Sequence, residues 1–146
     1  MSKISETKTF IASLDSLEPM REFLSESGNK VGLDKNQIYK LCLAVDEIAT
    51  NIINYGYLKE GIITGIIDIV IYSDDKILTV ILEDNSTPFN PLEFNIPGED
   101  DLSLPLEERP IGGLGIMLAK ESVDEFKYDF KNGKNINIFC VKFPDN

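Results

Sequence analysis

Histidine is absent from all 146 residues. That excludes Ser-His-Asp and Cys-His catalysis, every zinc site that needs an imidazole, and a phosphohistidine on the chain itself. Any proton transfer falls to a carboxylate, a lysine or a tyrosine. Basic residues are scarce, 14 Lys and Arg against 25 Asp and Glu, for a net charge of −11. Such a balance argues against binding nucleic acid by phosphate neutralisation. No apolar run approaches the roughly 18 residues of a membrane span. The amino end, Met1-Ser2-Lys3-Ile4-Ser5-Glu6-Thr7-Lys8, lacks the apolar centre of a signal peptide, so a cytoplasmic location is expected. Cysteine occurs only at Cys42 and Cys140. Both lie in apolar patterns and read as small buried hydrophobes rather than a disulfide or a metal pair.

What remains is enough for a core. Hydrophobic residues make up 42% of the chain, and its length suits one domain over 1–146. Thr9–Leu14 reads as a first strand. Asp15 or Ser16 caps a helix from about Leu17 to Gly28, and Asp34 caps a second that continues to about Tyr55, with Gly56 as its stop. Ile62–Tyr72 and Ile77–Leu82 read as strands joined by a turn at Ser73-Asp74-Asp75-Lys76. Phe126–Phe130 and Ile136–Phe143 form a second pair around Lys131-Asn132-Gly133-Lys134. Short strands joined by tight turns predict an α+β two-layer sandwich, a mostly antiparallel sheet with helices on one face. The stretch from Asp84 to Pro110 fits neither period and holds five of the seven prolines. A loop of that length inside a domain suggests a functional lid.

Three segments carry the chemistry. On the second helix Ile38, Leu41, Cys42, Val45, Ile48, Ala49 and Ile52 form the buried stripe, while Glu47, Asn51 and Tyr55 recur at i, i+4, i+8 on another. A carboxylate beside a carboxamide suits a hydrated cation and a hydroxyl proton; a solvated helix face is the plain alternative. Asp84 ends an apolar strand, where it either faces a pocket or closes an Asx turn. Arg109-Pro110-Ile111-Gly112-Gly113-Leu114-Gly115 runs into a helix. Its glycines let backbone N–H groups approach an anion, and the arginine adds a charged fork. The run matches neither the P-loop nor the dinucleotide fingerprint.

The order of these segments resembles the GHKL ATPase superfamily, with its histidine-kinase-like (Bergerat) fold, and within it the small anti-sigma factor serine/threonine kinases. Ala44-Val45-Asp46-Glu47-Ile48-Ala49-Thr50-Asn51 is similar to that group's N box, and 109–116 to the end of its ATP lid, which here would span 85–112. The resemblance implies a serine/threonine protein kinase that uses ATP and Mg²⁺. Asn51 would ligate the metal and Glu47 would act as general base. Asp84 would accept from the adenine amino group, with Asn135 in the place of the family's later Gly-Thr. Gly113, Leu114 and Gly115 would offer N–H groups to the phosphates, and Arg109 would stand near the γ-phosphate. Implied partners are a sigma factor and a STAS-domain anti-anti-sigma factor, with room for a homodimer; neither nucleic acid nor a membrane is among them. Ser86 departs from the family's Asp-x-Gly. That departure keeps open a second reading, an ATP-binding interaction module that transfers nothing.

Overall fold

The core is a layer of Ile, Val and Leu side chains from the sheet pressed, among the described residues, against three α-helices. The computed structural model describes residues 3–93 and 113–144. Strands β1 (Ser5–Ile11), β2 (Ile66–Ser73), β3 (Ile77–Asp84), β4 (Glu125–Lys131) and β5 (Lys134–Lys142) make one sheet in the order β1-β2-β3-β5-β4. Every pairing is antiparallel. Along β2 and β3 alternate residues turn inward, Ile67, Ile69 and Ile71 beside Leu78, Val80 and Leu82, and all six are fully buried. They share one cluster with residues of helices α1 (Leu17–Val31), α2 (Lys35–Asn51) and α3 (Gly113–Ser122), including Leu24, Val45 and Ala119. Their neighbours along the strands, among them Asp68, Val70, Ile81 and Glu83, are partly exposed on the other face. This is the expected α+β sandwich.

Several boundaries moved, each for a local reason. The first strand lies earlier than Thr9–Leu14, at Ser5–Ile11, because pairing with β2 from Ser5–Tyr72 to Ile11–Ile66 defines it rather than its own apolar residues. Helix α1 passes through Gly28 and stops at Gly32, which has φ 90° and caps it in the left-handed region. Gly28 stays helical against α2, where an added Cβ would stand 3.0 Å from Ile38 Cγ1. Helix α2 begins as expected, since Asp34 accepts from the Gln37 N–H at 2.8 Å and Gln37 Oε1 accepts from the Asp34 N–H at 3.1 Å.

Its far end differs. The α-helix closes at Asn51, and the chain continues as a six-residue π-helical segment, Ile52–Tyr57, then a 3-10 turn, Leu58–Glu60. Gly56 is therefore no stop; Gly61, at φ 75°, ends the run. Strand β2 starts at Ile66 rather than Ile62 because Gly65 lies flat on the Tyr57 ring, where a Cβ would meet Cγ at 2.6 Å. The β4–β5 turn is the predicted one, with Asn132 and Gly133 both at positive φ. Cys42 and Cys140 are free and buried, and burial raises the Cys42 thiol pKa.

Asp34→Ala removes one capping acceptor and should lower stability by about 1 kcal/mol, within a range of roughly 0.5–2. A urea midpoint equal to that of the parent would show that the capping box contributes nothing.

Candidate functional site

Strand register assembles the site. Asp84, last in β3, pairs across the ladder with Asn135, second in β5. Both point to the helix side and both are buried, at 2% and 3% exposure. Asp84 Oδ1 collects three donors: the Ser86 N–H at 3.0 Å, the Ser86 hydroxyl at 2.5 Å and Asn135 Nδ2 at 3.0 Å. Its other oxygen, Oδ2, is buried and has no hydrogen-bond partner. Leaving such an atom unpaired costs about 1–3 kcal/mol, and more for a charged group. Native proteins keep few such atoms, and those they keep call for a reason.

Asn135 is fully engaged by the protein. Besides Asp84, its amide nitrogen donates to the carbonyls of Ser86 and Thr87 at 3.2 and 3.3 Å. Its oxygen accepts from the Phe89 N–H at 3.1 Å and from the Tyr128 hydroxyl. Asn135 thus ties the segment after β3 to β4 and β5. Two positions on, Asn137 shares the same face of β5 and leaves its own Oδ1 buried without a partner. Sequence reasoning passed over Asn137; the signal was the two-residue alternation that puts it beside Asn135.

A cavity of about 260 Å³ opens in front of these groups. Asp84, Asn135 and Asn137 line one part of it, and Ile48, Asn51, Ile52 and Tyr55 another, with Pro88 and Phe89 completing an apolar wall. The π-helical segment brings Gly56 against Ser86, where a Cβ would lie 2.7 Å from Ser86 Cβ. Ser86, the departure noted in sequence, therefore fills the space that Gly56 leaves bare, with its hydroxyl turned onto Oδ1. Tyr57 braces the same corner. Its hydroxyl donates to the Ile66 carbonyl and accepts from the Asn85 N–H, each at 2.9 Å, and burial raises its pKa.

Of the expected site residues, Asn51, Asp84 and Asn135 meet at this cavity. Glu47, one turn before Asn51, does not line it; its carboxylate lies against Gly115 in the first turn of α3. Gly113, Leu114 and Gly115 open α3, whose first N–H groups have no intrahelical acceptor. Arg109 and most of the expected lid, from residue 94 to 112, lie outside the described residues. Among those described, no cluster of three or more Asp, Glu or Cys side chains could hold a metal, and no helix is long and apolar enough to cross a membrane.

Residues 10–140 match the family model of the histidine kinase-like ATPase domain. The chain belongs to this family. Serine-protein kinases RsbW of Bacillus thuringiensis (strain Al Hakam) and Bacillus cereus (strain AH820) are each 31% identical to it over 110 residues. The match takes in 74% of this chain and 66% of each relative, slightly less than two thirds of their length. Among solved structures, the RsbU and RsbW domains of a Mycobacterium tuberculosis protein superpose with a TM-score of 0.64 over 98% of this chain and 33% of that one. At 14% identity that likeness speaks to the fold, which is the histidine kinase-like ATPase sandwich anticipated from motif order.

Asn135→Ala takes one donor from the Asp84 carboxylate and the acceptor from the Phe89 N–H. It should cost about 2–4 kcal/mol of stability and hasten amide exchange at Phe89. Parent-like stability with slow exchange there would show that the amide braces nothing.

Proposed function

We propose that this protein is an ATP-dependent serine/threonine kinase of a partner-switching system, phosphorylating a STAS-domain antagonist and sequestering a sigma factor. The reading is carried by Asp84 Oδ2, a buried acceptor without a donor on a residue that, with Asn51, lines a largely apolar cavity. Adenine fits such a site: a flat apolar ring for the wall of Ile48, Ile52, Pro88 and Phe89, and an exocyclic amino group for the orphaned oxygen. The RsbW relatives support the kinase assignment at family level. Activity, substrate and partners are this proposal's own.

Mg·ATP, when bound, supplies the phosphoryl group and the charge that positions it. The chain's residues do the rest. Asp84 receives the amino N–H of the base, held in one orientation by Ser86 and Asn135. The Asn51 amide oxygen would hold the metal; magnesium takes few protein ligands and keeps waters, so no carboxylate cluster is needed. The N–H groups of Gly113, Leu114 and Gly115 would serve the phosphates from the positive end of α3, and Arg109, by family resemblance, would add its charge at the γ-phosphate. Glu47 takes the proton from the acceptor's serine or threonine hydroxyl. Phosphoryl transfer asks little beyond positioning and charge neutralisation, so this set suffices.

Incubation with γ-labelled ATP and a STAS-domain protein recovered by pull-down should label a serine or threonine of that protein. Glu47→Gln should keep Mg·ATP affinity and lower transfer by about 10²–10⁴-fold; full activity in that variant would exclude Glu47 as the base. Asn51→Ala should abolish Mg-dependent binding. Asp84→Asn should weaken nucleotide binding by about 1–3 kcal/mol. Tight Mg·ATP binding without labelling of the partner would favour the interaction module that transfers nothing.

A further inference from the structure

Glu47 and Gly115 meet where α2 and α3 pack. A Cβ on Gly115 would collide with Glu47 Oε2, and would stand 3.2 Å from Cδ and 3.7 Å from Cγ. Both helices are held by the core, so what a side chain at position 115 would displace is the end of the flexible Glu47 side chain. Ile116 and Ala119 pin α3 to the core at 2% and 0% exposure, while Ala44, Val45 and Ile48 pin α2 on either side of Glu47 at 0%, 1% and 1%. The backbone gives no reason for glycine here. Among the described glycines only Gly32, Gly61 and Gly133 have positive φ, and alanine is the better helix former. What occupies the space that a side chain at position 115 would fill is the carboxylate of Glu47.

We infer that Gly115 is a positioning residue for Glu47: its bare Cα is the floor on which the carboxylate rests, so that α3 determines where the base stands. The inference builds on the proposed role of Glu47. It assigns Gly115 a function separate from offering its N–H to a phosphate, because alanine keeps the N–H and fills only the floor. It also links the two halves of the site, since the helix that receives the phosphates is the one that holds the base in place.

A double-mutant cycle on the nucleotide-free protein isolates this contact. Gly115→Ala should lower the urea midpoint in the parent, by forcing Glu47 out. In a Glu47→Ala background the same change should raise the midpoint, because only helix propensity is left. Equal shifts in both backgrounds would overturn the inference. In the transfer assay at saturating Mg·ATP, Gly115→Ala should transfer at least tenfold more slowly than the parent, and a parent-like rate would also overturn it. If the parent itself transfers no label while the midpoint shift reverses sign, the kinase assignment fails and the Gly115 floor stands.

Discussion

A half-satisfied carboxylate organises this protein. Asp84 is buried at the end of β3 with three donors on one oxygen and none on the other. Holding it there requires an antiparallel register that brings Asn135 alongside, a turn that folds Ser86 back, and a glycine at position 56 that yields the space Ser86 occupies. The unpaired oxygen is a standing cost that a donor from a ligand or an ordered water would offset. Fold and site are thus one problem: the β3–β5 ladder inside the sheet is also what sets Asp84 beside Asn135.

The helical layer supplies the other half. Helix α2 is anchored by its apolar stripe and carries Glu47 and Asn51 one turn apart, so their separation is set by helix geometry. After Asn51 the winding loosens into the π-helical segment, which carries Tyr55 to the cavity and Gly56 to Ser86. π-helical turns are rare and concentrate at functional sites. Here the change of winding falls at the residue proposed to meet the metal.

Much of this was legible in the chain. The Asp34 cap, the apolar spacing from Ile38 to Ile52 and the Asn132-Gly133 turn are local signals, and each formed as local chemistry dictates. Boundaries set by tertiary contact were not legible. Gly28 looked like a stop because nothing in its neighbourhood shows that Ile38 will press on it, and Gly56 misled for the same reason. Ser86 departs from the family's Asp-x-Gly, yet its hydroxyl sits on the oxygen of Asp84 that Asn135 already engages, leaving the other unpaired. Asn137 was passed over because its unpaired oxygen exists only once β5 lies beside β3.

The central claim is that the orphaned oxygen of Asp84 reads an amino group. Calorimetric titration with Mg·ATP and with the magnesium salt of inosine triphosphate tests it most directly, because these ligands differ at the purine 6-position, amino in one and oxo in the other. The account predicts that ATP binds at least about tenfold more tightly, the equivalent of one charge-assisted hydrogen bond. Equal affinities would contradict it.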